Sequence, residues 1–224
     1  MNRFPGRISD WMIHKDNQVI VFNKPAGLAV QPDKTGDPSL LGMGAAYVRH
    51  NLYLIHRLDR PVSGVVVLGQ KPSAQTSLTK QLQKGTMDKT YLAIVGERPT
   101  EDSGELVHHL SNAPGNRSAV SDEPSENSRE ARLHYKYLGS SDRYHLLRIN
   151  LKTGRKHQIR AQLAAIGCPI RGDKKYGFKR SNEGGTIDLH SYRVGYDHPV
   201  TGERVLHTAP VPEGEVWEAF AGVV

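Results

Sequence analysis

The sequence predicts an α+β domain with a mixed, largely antiparallel central sheet and flanking helices. Two observations predict it. Apolar runs of strand length follow one another, often with no helical stretch between them. Helical patterns are few and do not alternate with strands, which argues against a regular βαβ array. The chain has 224 residues, and domains commonly hold ~100–200, so one domain or two fused subdomains is the expectation. The reading adopted is a single domain over residues 1–224 with its core at about 12–212.

Val19–Phe22 reads as a buried strand, ended by the Pro25-Ala26-Gly27 turn. Asp37-Pro38 has the form of an N-cap with proline at the first helical position. The helix after it would carry Leu41, Ala45 and Val48 on one face. Leu54-Ile55 and Val65–Leu68 are short apolar strands flanking a charged segment. A second helix starts near Pro72, buries Ala74, Leu78 and Leu82, and ends at Gly85. Thr90–Val95 and Glu105–Leu110 are strands. Residues 111–130 are polar, with two prolines and many serines, and read as a surface loop. Leu133–Leu138 and Tyr144–Leu151 alternate like paired strands. Lys156–Ile166 reads as a helix with Ile159, Leu163 and Ile166 inside, closed by Gly167.

Lys and Arg number 30 against 23 Asp and Glu, giving a net charge of +7 and a pI near 9.5. Such a surface attracts polyanions, nucleic acid above all, although many basic proteins bind none. The one cysteine, Cys168, excludes an internal disulfide and any zinc site built from several cysteines. It fits a reducing compartment. The N-terminus has no apolar signal region, and no run reaches membrane-spanning length. A cytoplasmic protein is expected, with no membrane partner. Eleven histidines invite a metal reading, but there is no HExxH, and adjacent His108-His109 would face opposite sides of a strand. No Walker A loop or dinucleotide fingerprint is present.

Four features carry possible chemistry. His56-Arg57-Leu58-Asp59-Arg60-Pro61-Val62-Ser63-Gly64 places one carboxylate among two arginines and a histidine, in a turn shaped by Pro61 and Gly64. Neighbouring positive charge keeps Asp59 ionised, and an ionised carboxylate can act as nucleophile or base. The plain alternative is a salt-bridged turn that only fixes backbone shape. Lys152-Thr153-Gly154-Arg155-Lys156-His157 is a dense cationic stretch at a helix start, suited to phosphate or simply to solvent. Arg160 has Leu163, Ala164 and Gly167 as its helical neighbours, a small apolar face that would partly bury it. A buried arginine needs a carboxylate, and Asp59, Asp173 and Glu130 all serve on sequence grounds, unless the side chain snorkels to water. Tyr91, in Lys89-Thr90-Tyr91-Leu92-Ala93, is either a core tyrosine with its hydroxyl at the rim or a ring on which an extruded base stacks.

In order along the chain these segments resemble the RluA-type RNA pseudouridine synthases. Asn23-Lys24-Pro25-Ala26-Gly27-Leu28 is similar to the family's first motif, and His56-Arg57-Leu58-Asp59 with Ser63-Gly64 to its catalytic motif. Lys89–Ala93 resembles its tyrosine motif. Thr153–Arg160 and Gly172-Asp173 through Tyr176-Gly177 resemble the last two. The resemblance covers about Asn23 to Gly177, with further strands to about Pro210. It departs at Val62, where the family usually has threonine, and at Gln31, where a histidine is common.

The resemblance implies the pseudouridine synthase catalytic core, without a separate N-terminal RNA-binding domain. It implies isomerisation of specific uridines in structured tRNA or rRNA, with no cofactor and no metal, by a monomer. Catalytic residues would be Asp59, Tyr91 and Arg160: Asp59 the essential carboxylate, Tyr91 packed on the target base, and Arg160 paired with Asp59. Arg57 would fill the space of the flipped nucleotide, and Arg155 and Lys156 would bind RNA. Two other readings are weighed: an inactive RNA-binding protein of the same fold, and a hydrolase using Ser63, which lacks a nucleophile elbow.

Overall fold

The computed structural model describes residue 4 and residues 6–224. In chain order the elements are β1 (Met12–Lys15), β2 (Val19–Lys24), α1 (Leu40–Val48), β3 (Tyr53–Leu54), β4 (Ser63–Gly69) and α2 (Pro72–Lys84). These are followed by β5 (Asp88–Val95), β6 (Ser103–Ala113), β7 (Arg117–Ser121), β8 (Arg129–Ser140) and β9 (His145–Leu151). Last come α3 (Gln158–Ala165), β10 (Leu189–Asp197), β11 (Arg204–Thr208) and the short α4 (Glu215–Glu218). The fold is α+β, and the strand registers in both units are antiparallel. The chain forms two compact units. One holds the residues up to Lys89 with Ser191–Val211, and the other holds Thr90–His190 with Pro212–Val224.

In the first unit β2 lies between β1 and β4, β3 adds to β4, and β10 pairs β11. The runs VIVF and VVVL are buried on successive residues, not alternate ones, because both faces of these strands are covered. Val19, Val21, Val65 and Val67 face one cluster with Leu78 of α2, Met87 and Tyr196. α2 follows the sequence reading: Ala74 and Leu78 are buried, Leu82 packs on the same cluster, and Gly85 is left-handed at φ 73°. α1 does not. It starts at Leu40, with Ser39 as the cap accepting from the Gly42 N–H at 3.2 Å. Asp37 cannot cap because its carboxylate is taken by Arg60 Nη1 at 2.6 Å. The buried face is therefore Leu40 and Gly44, with Gly44 pressed against Leu52 and Phe22, while Leu41, Ala45 and Val48 are only partly buried.

In the second unit the strand order is β5-β9-β8-β6-β7. Residues 111–130 are not one loop. β6 runs on to Ala113, and a tight turn with Gly115 (φ 71°) and Asn116 (φ 56°) leads into β7. Both residues tolerate positive φ, which this three-residue hairpin loop, Pro114-Gly115-Asn116, requires. Only 122–128 is loop between β7 and β8. α3 begins at Gln158, two residues later than the sequence suggests, because His157 sits in the left-handed region at φ 52° and cannot continue a helix backwards. Ile159 and Leu163 are buried, Ile166 only partly, and Gly167 (φ 76°) follows the end.

Candidate active site

The segment from Ile55 to Val62 joins β3 to β4. Ile55, Leu58 and Val62 point into the core, which holds the loop down and leaves Arg57 exposed and Asp59 half-buried. Val62 N–H donates to the Asp59 carbonyl at 3.1 Å, closing a four-residue turn over Arg60-Pro61. At Val62 the side chain is 2% exposed, so a methyl serves where the related motif has a hydroxyl.

Three supports fix this turn. Arg60 reaches Asp37 at 2.6 Å and Asp33 at 2.9 Å, and donates to Thr35 Oγ1, tying the turn to the 33–37 loop. Beneath it Lys24, with no exposed surface, donates to the carbonyls of Leu28 (2.7 Å), Pro25 (3.0 Å) and Arg60 (3.3 Å). Gly27 N–H also donates to the Arg60 carbonyl, at 2.8 Å. Burial pulls the Lys24 ammonium down to about 7, against the opposing pull of the Asp59 charge, with Arg60 adding to the lowering. The third support is Gly64. Its φ is +110°, and a Cβ there would stand 2.2 Å from the Ser191 carbonyl oxygen, so β4 can begin directly beside β10 only with glycine.

His56 is a structural member of the same segment. Its Nε2 accepts from the Val67 N–H at 3.1 Å, which requires the neutral ring with its proton on Nδ1. Burial, aided by the positive charge of Lys89, pushes its pKa down to about 4.

The remaining predicted residues lie in the second unit. Tyr91 is on β5 opposite Ile149 of β9, with its side chain 6% exposed. Arg160 is equally buried on α3, as its small apolar face requires. Asp173, one of its three candidate partners, holds it in a bidentate pair: Nε to Oδ2 at 2.6 Å and Nη2 to Oδ1 at 2.9 Å. Its guanidinium also lies 5.0 Å from the centre of the Tyr176 ring. Asp173 accepts two of the five guanidinium N–H donors.

Arg155 and Lys156 stand just before α3. Arg155 is exposed, and its Nε donates to the Glu130 carbonyl at 2.9 Å, while Lys156 is half-buried. Their loop is shaped by a residue the sequence reading passed over. Gln158 is buried. Its Oε1 accepts from Thr153 Oγ1 (2.8 Å) and the Arg155 N–H (3.0 Å), and its Nε2 donates to the Arg132 carbonyl (3.1 Å). Lys24 likewise stands in the first motif with no role legible from sequence. The signal available for it was one lysine ending an apolar strand immediately before a turn.

A family model described as RNA pseudouridylate synthase matches residues 18–165. The chain belongs to this family. It is an isomerase acting on RNA, a pseudouridine synthase by family and by fold. "Uncharacterized RNA pseudouridine synthase YhcT" of Bacillus subtilis (strain 168) is 33% identical, over 90% of this chain and 68% of its own length. "Ribosomal large subunit pseudouridine synthase D" of Haemophilus ducreyi is 30% identical, over 90% of this chain and 67% of its own. The solved structure titled "Human RNA Pseudouridylate Synthase Domain Containing 4" shares the fold, with a TM-score of 0.73, 23% identity, and coverage of 92% of this chain and 90% of that one. The family match runs through both compact units and takes in the resembling segments from Asn23 to Arg160, while the last of them, Gly172 to Gly177, lies beyond its end.

Proposed function

We propose that this pseudouridine synthase isomerises specific uridines in structured RNA with Asp59 as its catalytic carboxylate. The observation that carries the assignment is the construction around Asp59. A half-buried carboxylate sits on a turn clamped by Arg60, underpinned by the buried ammonium of Lys24 and made possible by Gly64. Rigid support of this kind keeps a reacting group within the small tolerance that catalysis demands. Asp59 alone would do the covalent or acid–base work at the ribose, either by attack at C1′ or by taking the 2′ proton. The N1–C1′ bond breaks, the base turns over, C5 bonds to C1′, and the C5 proton leaves while N1 gains one. Tyr91 packs on the target base and helps remove the C5 proton, and Arg160 supplies the cation that the family resemblance assigns to Asp59. Arg57 fills the space of the flipped nucleotide, which recovers part of the few kcal/mol that unstacking costs. Arg155 and Lys156 hold phosphates.

Among tRNA and ribosomal RNA, the relatives named for the ribosomal large subunit favour ribosomal RNA as the substrate. No helix among the described residues is long and apolar enough to cross a membrane. The enzyme is read as a cytoplasmic monomer that uses no metal or cofactor.

Tritium release tests the assignment. RNA labelled at C5 of uridine and lacking native modifications is offered to the wild type and to Asp59→Ala. Release by the wild type alone, with RNA binding retained by the variant, is expected. Turnover by Asp59→Ala would remove the carboxylate from its role. Binding without release by either protein would favour an inactive RNA-binding member of the family.

A further inference from the structure

A second feature of the Thr90–His190 unit lies beside the segments assigned above. The outer edge of β7 and one face of α3 enclose a groove of about 370 Å³. Its floor is Ala161, Ala164 and Ala165, its wall is β7 from Arg117 to Val120, and Tyr176-Gly177 closes one end. The groove exists because α3 presents only methyl groups to a strand that a larger residue would meet.

It is also built to stay open. Tyr176 is the pin: its hydroxyl accepts from the Ser118 N–H at 2.7 Å and lies 2.9 Å from His157 Nδ1. Ser118 Oγ donates to the Lys156 carbonyl at 2.8 Å, and Lys175 Nζ to the Gly115 carbonyl at 3.2 Å, so the turn and the start of β7 are both moored. β7 is the terminal strand of its sheet order. Ser118 N–H points away from β6, so Val120 N–H, two residues on, points the same way, toward the groove.

The rim is cationic. Arg117, in the groove wall, lies with its guanidinium 5.5 Å from the Tyr176 ring centre, and Lys174 and Lys175 immediately precede Tyr176 in the chain, all three exposed. A narrow, small-residue groove with an edge-strand N–H and a cationic rim suits a sugar–phosphate backbone. The sugars pass over the alanine floor while the phosphates meet Arg117, Lys175 and the strand donor.

We propose that this groove is a docking track for the backbone of the substrate RNA. The proposal rests on the reading that the substrate is RNA.

The test is equilibrium binding of an unmodified ribosomal RNA transcript, measured by anisotropy across a salt series. Wild type is compared with the double variant Arg117→Gln/Lys175→Gln and with Ala165→Trp, which fills the groove from an exposed position. The charge variant should bind ~10-fold more weakly, with a log–log salt slope shallower by about 1 to 2. Ala165→Trp should weaken binding to a similar extent and make the slope shallower as well, because a backbone displaced from the groove no longer meets Arg117 and Lys175. If only the charge variant weakens binding, the rim is a diffuse cationic field and the track is wrong. If only the tryptophan acts, the groove holds something other than phosphate backbone. Wild-type affinity in both variants overturns the proposal outright. Turnover of the wild type is measured separately. Groove-dependent binding without isomerisation would sink the catalytic reading and leave the track standing, and isomerisation with groove-independent binding would do the reverse.

Discussion

At the scale of single residues the site is governed by what burial does to charge. His56 is the clearest case. Its ring must stay neutral to accept from Val67 N–H, and burial, with Lys89, pushes its pKa to about 4 from 6.5. The sign follows from linkage. Between those two values the unfolded chain holds a proton that the folded chain rejects. Stability present above about pH 6.5 is therefore lost as pH falls toward 4. The loss amounts to at most ~3.5 kcal/mol at about 1.4 kcal/mol per unit. In His56→Gln that acid-dependent component should vanish, although the variant begins less stable at neutral pH. Urea midpoints of both proteins at about pH 7 and about pH 4.5 check it. Parallel pH profiles would mean that His56 does not titrate in this window. Lys24 follows the same logic with the same sign in a higher window: the cost of its buried ammonium is relieved as pH rises from about 7 toward 10.5.

At the scale of elements, Gly64 decides where β4 begins. With φ at +110° and the Ser191 backbone 2.2 Å from an ideal Cβ, Gly64→Ala must push β4 off β10 or distort the turn before it. The expected cost is more than ~3 kcal/mol, above the usual range for a point substitution. A soluble Gly64→Ala protein with an unchanged thermal midpoint would show that β4 and β10 have room to separate. The sequence made this glycine visible as part of a shaped turn, but not the strand 127 positions later that requires it. The same division runs through the rest of the fold. Apolar runs such as VIVF and VVVL, and the i, i+4 spacing of Ala74, Leu78 and Leu82, are local patterns, and the structure follows them. Asp37 looked like a helix cap because cap propensity is local; the Arg60 that takes its carboxylate lies 23 residues away. The β6–β7 hairpin was hidden in a polar segment, though Pro114-Gly115-Asn116 carried the turn signal. For the site, Arg160 could be read as a buried arginine in need of a carboxylate, because its helical face is a local fact. Choosing Asp173 from the candidates required the fold.

At the scale of the whole molecule, a net charge of +7 must be reconciled with the many arginines already engaged. Arg60, Arg132, Arg160, Arg171 and Arg204 all have carboxylate partners, so they add little to the field a polyanion meets. What remains outward is carried by side chains such as Arg57, Arg117, Lys152, Arg155, Lys174 and Lys175, all exposed. Binding through them releases counterions from RNA, and the logarithm of affinity falls linearly with the logarithm of salt, by about 0.7 to 0.9 per phosphate neutralised. Affinity for RNA should therefore drop by at least tenfold between roughly 50 and 200 mM salt, the fall expected for several phosphate contacts. Asp59→Ala separates this field from the chemistry. Removing one carboxylate from the turn should leave the slope of the salt dependence as it is, because the number of phosphates neutralised does not change. The rate of isomerisation at saturating RNA should fall to background in the same variant. A salt-independent affinity would place recognition in base contacts and packing instead. A slope altered by Asp59→Ala would mean that the carboxylate stands among the phosphate contacts and not at the ribose.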